Sequence, residues 1–261
     1  MKKRGIIILI SMVSFVALMA IISNVFFSLR YVTVDFLSTT DVLDNKEQTI
    51  INSADFDYGE SIFFIEREEY IDKLELNNPY LEVISLEVIF PNRVIIHAIE
   101  RNEFFAFALS DSTYAICDNE LKVLKIVSTF ENSTENAMLV DNSALTIDVT
   151  NAVLGTTLNI PESYANIIKN FATSAEEWDS NLANLRGNVT GIELNYERDN
   201  QLLISMRQGV QIIVKDSNEN LSDKLQLAFS VYDSNPTYRE GGIIQIIEEL
   251  TGEIVASYYN E

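Results

Sequence analysis

Residues Gly5 to Phe27 read GIIILISMVSFVALMAIISNVFF, 23 positions without a charged side chain. As a helix rising ~1.5 Å per residue, the run covers about 34 Å, enough for a hydrocarbon core of ~30 Å. Its polar members are three serines, Ser11, Ser14 and Ser23, and Asn24 near one end. Phe26, Phe27 and Tyr31 stand where an aromatic belt lies. Lys2, Lys3 and Arg4 precede the run and only Arg30 follows closely. The bias of positive charge predicts a single-pass protein of the cell membrane, with a short cytoplasmic N-terminal stub and everything from about residue 30 outside. A cleaved signal peptide is the competing reading. Its apolar region would be shorter, about 7–15 residues, and would end in a small-x-small site. Leu18-Met19-Ala20 fits that site poorly, because Leu18 fills a small-residue position.

Charge narrows the rest. The three leading cations belong to 18 Lys and Arg in all, so the remainder sets 15 basic residues against 39 acidic ones. Such a chain repels phosphate backbones, which excludes nucleic acid as a partner. It is also repelled by anionic lipid and anionic wall polymers unless something tethers it. One cysteine, Cys117, rules out an internal disulfide framework and any zinc site of two or more thiolates. One histidine, His97, rules out a multi-histidine metal centre.

Residues 30–101 predict a small α+β module. Tyr31–Phe36 is β-branched and aromatic, a strand pattern. Thr40 or Asp41 is placed to cap a helix running to about Ser53, and a second helix spans Glu66 to Asn77, with Ile71 and Leu74 facing inward. The residue before Pro79 is pushed out of the α region, which ends that helix. LEVISLEVIF (81–90) and RVIIHAIE (93–100) then alternate as strands around Pro91-Asn92. Strand, helix, helix, strand, strand makes a three-stranded sheet with both helices on one face.

At these residues the chain resembles a family. Asn78-Pro79-Tyr80-Leu81, Phe90-Pro91 and Glu100-Arg101, preceded by Gly59-Glu60-Ser61-Ile62-Phe63-Phe64-Ile65-Glu66, are similar in kind and order to the POTRA domain of the FtsQ/DivIB bacterial cell-division proteins. Glu103 stands where that family often has proline. Gly59, Phe63, Pro79, Tyr80, Phe90, Pro91, Glu100 and Arg101 are read as structural motif positions. Pro79 stops a helix, Pro91 shapes a hairpin, and Tyr80 and Phe90 plug the core. Glu100 and Arg101 form a local ion pair or face a partner.

Residues 102–259 predict a β-rich domain with flanking helices. Strands are expected near 104–109, 113–117, 121–127, 137–140, 189–194, 201–206, 210–214, 242–247 and 253–259. A helix follows Pro161, with Tyr164, Ile167, Ile168, Phe171, Ala172, Ala175 and Trp178 on one stripe. A second carries Leu221, Leu225, Ala228, Phe229 and Tyr232, and Asn235-Pro236 breaks it. Tyr114–Asp118 followed by Leu121–Leu124 resembles a hairpin of the same family, with Leu121 where the turn glycine is usual. Gly209-Val210-Gln211-Ile212, Lys224-Leu225 and Gly242-Ile243-Ile244 resemble its β-domain.

No catalytic constellation emerges. His97 lies in a strand apolar on both faces, Cys117 reads as a core thiol, and 39 acids make neighbouring carboxylates inevitable. Calcium-loop, P-loop and dinucleotide motifs are absent from the sequence, so we expect no enzyme activity, cofactor or metal. Surfaces then carry the function. The last strand is an expected sheet edge, open to an added strand, with Ile254, Val255, Ser257, Tyr258 and Tyr259 as candidate partner-binding residues. The resemblance implies two partners, small bitopic coiled-coil proteins of the FtsB/DivIC and FtsL types, and through them a link to the septal peptidoglycan synthase and a place at the division septum. A POTRA-type chaperone or translocation module and an anchored cell-wall hydrolase are the alternatives.

Overall fold

A computed structural model describes residues 11–19, 21, 25–38, 43, 45–131, 137–143, 145–195, 200–234 and 241–259. The chain divides into two units, Met1–Arg101 and Asn102–Glu261. Of the apolar run Gly5–Phe27, residues 11–19, 21, 25 and 26 are helical, and positions 5–10, 20 and 22–24 lie outside the described residues. Among the described residues no helix is long and apolar enough to cross a membrane.

The first unit is α+β. Strand β1 (Tyr31–Ser38) is followed by α1 (Glu47–Ser53), α2 (Arg67–Asn77), β2 (Leu81–Ile89) and β3 (Arg93–Glu100). The sheet order is β1-β3-β2, with β1 parallel to β3 and β2 antiparallel to it. Leu74, Leu81, Val94, Ile96 and Ala98 are fully buried and join Ile50, Ile51 and Leu86 in one core. Helix α1 starts at Glu47, several residues later than expected. Asn45, two residues before it, has φ 60°, a left-handed turn that a continuous helix does not contain. The proposed caps Thr40 and Asp41 lie outside the described residues.

Simple alternation along β2 fails at one point. Val83 and Leu86 are both buried, although an odd spacing sends side chains to opposite faces. A register shift between Val83 and Ser85 inserts one residue and returns Leu86 to the core side. In α2 the inward residues are Tyr70 and Leu74, with Ile71 only half-buried. Tyr70 stacks on Phe56 at 4.4 Å between centroids.

The second unit is one mixed sheet of nine strands. In chain order these are β4 (Phe105–Ala108), β5 (Tyr114–Cys117), β6 (Val123–Val127), β7 (Met138–Asp141), β8 (Val189–Asn195), β9 (Gln201–Met206), β10 (Val210–Val214), β11 (Gly242–Glu248) and β12 (Ile254–Tyr259). Their spatial order is β12-β11-β10-β9-β8-β7-β4-β5-β6. Helices α3 (Glu162–Trp178) and α5 (Leu221–Ser234) put their apolar stripes into the core that the strands line. Trp178 stacks on Phe229 at 4.4 Å and 5°, tying the two helices together. A short helix α4 (Leu182–Asn188) was not expected. Asn181 caps it, its Oδ1 accepting from the backbone N–H of Ala183 and Asn184.

Candidate partner-binding edge

Strand β11 is a β-branched run, Gly242-Ile-Ile-Gln-Ile-Ile-Glu248. Glu249-Leu250-Thr251-Gly252 turns the chain back into β12. The turn closes through Gly252 N–H to Glu249 C=O at 2.8 Å and Glu249 N–H to Glu253 C=O at 2.9 Å. Gly252 sits at φ +81°, a conformation costly for a side chain with a Cβ. β12 pairs antiparallel with β11 over six residues, from Ile254 opposite Glu248 to Tyr259 opposite Ile243.

Alternation sorts the five candidate residues into two groups. Ile254 and Tyr258, with Ala256 between them, pack on the helix side against the core that holds Ile244 and Ile246. Tyr258 Oη donates to Gly241 C=O at 2.9 Å. Val255, Ser257 and Tyr259 stand on the other face, opposite Ile247, Gln245 and Ile243. Tyr259 Oη donates to Gln245. Ile254 and Tyr258 therefore seat the strand, and Val255, Ser257 and Tyr259 are presented outward.

The two ends of the sheet differ. At the β6 end, residues 155–158 run alongside Leu121–Val123, where the strand begins. Val123 N–H donates to Thr156 C=O, Gly155 N–H to Val123 C=O, and Leu158 N–H to Leu121 C=O, all at 2.8–2.9 Å. At the other end, β12 has β11 on one side and no strand on the other among the described residues.

The helix-free face beside that edge was not read from the sequence. Leu203, Ile213, Ile243, Ile247 and Val255 are half-buried on it, interspersed with Gln211, Gln245 and Ser257. The signal was present as doublets, Leu202-Leu203, Ile212-Ile213, Ile243-Ile244 and Ile246-Ile247, which give a strand apolar side chains on both faces.

One polar cluster anchors the hairpin. Lys224 of α5 is fully buried, its Nζ donating to Asp216 C=O at 3.0 Å and lying 3.5 Å from the Glu248 carboxylate. Asn220 Nδ2 donates to the same carboxylate at 3.0 Å. The Asn220 hydrogen bond, with the Lys224 charge behind it, holds the Glu248 carboxyl below its ordinary range.

The motif positions fall in the first unit. Pro79 follows the end of α2, and half-buried Tyr80 accepts the Arg101 N–H at 2.8 Å. Arg101 ties α2 to β2, bonding Leu81 C=O and pairing with Glu75 at 3.2 Å and Glu82 at 3.5 Å, and Glu100 is buried. Pro91 lies in the β2–β3 turn and Gly59 in the turn before Glu60. Phe90 is a correction. It does not plug the core but is exposed, as is Phe63. The β2–β3 turn holds it outside the core cluster, where its ring meets Phe27 and Phe63 instead. His97 lies on β3 between two carboxylates, Asp35 at 3.1 Å and Glu87 at 3.3 Å. Burial raises the Cys117 thiol well above its usual pKa, which leaves it protonated and unreactive. Among the described residues no three His, Cys, Asp or Glu side chains are grouped to hold a metal.

No family model matches the chain. The chain is similar to the cell division protein DivIB of Clostridium tetani, with 25% identity over 220 residues, covering 83% of this chain and 76% of that one. This likeness supports the FtsQ/DivIB resemblance carried by the motif residues. A solved structure, the major extracytoplasmic domain of the trans isomer of the bacterial cell division protein DivIB from Geobacillus stearothermophilus, is matched over 52% of this chain and 97% of that one. Its identity is 13% and its TM-score 0.30, too low for the superposition to bear on the fold.

Proposed function

We propose that the chain is a single-pass scaffold of bacterial cell division. It spans the membrane through Gly5–Phe27 with its N-terminus in the cytoplasm. Outside, it captures small coiled-coil partners of the FtsB/DivIC and FtsL types by strand addition along β12, and so helps localise and control septal peptidoglycan synthesis. The role is binding and assigns no bond-breaking step to the chain. Likeness to a cell division protein supports the process, and the open β12 edge carries the mechanism. An added strand gains main-chain hydrogen bonds worth about 0.5–1.5 kcal/mol each, while Val255, Ser257 and Tyr259 supply side-chain selectivity.

Co-purification of partners from crosslinked cells tests this reading. Val255→Glu and Ser257→Glu place charge beside the edge without touching the core-side residues. Each lowers partner recovery about tenfold, equivalent to about 1.4 kcal/mol, with circular dichroism unchanged. Undiminished recovery rejects strand addition at β12. A fluorescent fusion of the full chain forms a midcell band, and an even envelope signal with normal septation after depletion rejects the division role.

A further inference from the structure

Three phenylalanines from separate segments meet on the outside of the first unit. Phe27 ends the apolar N-terminal run, Phe63 lies in the loop before α2, and Phe90 lies in the β2–β3 turn. Their ring centroids are 5.2 Å apart for Phe27–Phe63, 5.4 Å for Phe63–Phe90 and 6.4 Å for Phe27–Phe90. A cluster of this kind normally forms in order to be buried, yet Phe63 is 56% exposed, Phe90 60% and the adjoining Phe64 75%. Large exposed apolar groups gathered in one place mark an interaction surface.

The backbone fixes where this surface stands. Ile62 N–H donates to Phe27 C=O at 2.7 Å, Leu29 N–H to Glu60 C=O at 2.8 Å, and Gly59 N–H to Leu29 C=O at 3.1 Å. Arg30 N–H donates to Asn92 C=O at 2.9 Å. Both loops are thus laced to the residues that leave the apolar run, and Arg30 Nη2 bonds Val25 C=O at 2.8 Å in its last turn. The charges repeat the pattern. Each apolar segment is followed three positions later by an exposed arginine: Phe27 by Arg30, Phe64 by Arg67, Phe90 by Arg93. Three exposed arginines thus accompany the rings in a chain with more than twice as many acids as bases, with Glu66, Glu68 and Glu69 exposed beside Arg67.

We propose that Phe27, Phe63, Phe64 and Phe90, with Arg30, Arg67 and Arg93, form a platform that seats the first unit on the outer membrane–water interface of the bilayer it is anchored in. Aromatic rings partition to that depth, and guanidinium groups reach lipid phosphates from it. The occupant is lipid because the patch is continuous with the apolar run through Phe27. The inference rests on the reading of Gly5–Phe27 as a span.

Tryptophan quenching in proteoliposomes of the full-length protein tests it. The parent chain has one tryptophan, Trp178, which supplies the baseline. Val16→Trp adds a reporter inside the span, and Phe64→Trp adds one on the platform while keeping an aromatic side chain. With lipids brominated near the headgroup, the Phe64→Trp signal falls by about half and its emission shifts to the blue. With bromines deep in the acyl chains, Val16→Trp is quenched and Phe64→Trp much less. A quenched Val16→Trp beside an unquenched, red-emitting Phe64→Trp overturns the platform and leaves the span standing. A blue shift without quenching means that protein covers the patch, and overturns it too. If neither reporter is quenched, span and platform fall together.

Discussion

Leu121 holds a backbone conformation made for glycine. Its φ is 67°, yet its side chain is completely buried. Asp118 organises the turn, its carboxylate accepting from the N–H of Glu120 and of Lys122 at 3.0 and 2.7 Å. An L-residue in the left-handed region costs roughly 1–2 kcal/mol, and deleting a buried leucine side chain costs about 3 kcal/mol. The second effect is larger. Leu121→Gly therefore destabilises the second unit by about 2 kcal/mol, read from the denaturant midpoint, even though it restores the family's usual residue. A stabilised variant would show that backbone strain outweighs burial there. Phe90 teaches the converse. Its aromatic character read as core from the sequence, because composition cannot tell a ring that fills an interior from one held out at a turn.

Among the elements, the β11–β12 hairpin depends on a clamp whose strength varies with pH. The Glu248 carboxyl titrates below its ordinary value of 4.5 in the folded chain, through Asn220 first and Lys224 second. A depressed carboxyl contributes stability that is fully present above the unfolded value and is lost as pH falls through the folded one. Acidification from neutrality to below 4.5 thus raises amide exchange in β11 and β12 ahead of β8 and β9, and Glu248→Gln flattens this dependence. Equal protection of all four strands at low pH would remove the clamp. Most elements were legible beforehand, because period-two strands and the stripes of α3 and α5 are written in short stretches of sequence. What escaped was non-local or weakly coded. The bulge at Val83–Ser85 depends on the partner strand, α4 contains Gly187 and Asn188 and rests on a single asparagine cap, and the parallel pairing of β7 with both β4 and β8 joins residues about 30–50 positions apart. The edge residues were named as one group, but only the observed register divides those that seat the strand from those that face outward.

At the scale of the whole molecule, each unit has its own apolar core, one around Leu74 and Ile96, the other around Phe171 and Phe229. Independent cores unfold independently when the surface between them is small or polar. Calorimetry of the full chain in detergent shows two transitions. Leu74→Ala, at about 3 kcal/mol, lowers one midpoint, and Phe171→Ala lowers the other. Movement of both by either variant would demonstrate a single cooperative body. The open β12 end has one more result. A sheet that can accept a neighbour at both ends stacks without limit, the route to fibres. Two copies that meet through β12 consume each other's β12 edge, and that contact closes on itself as a twofold pair.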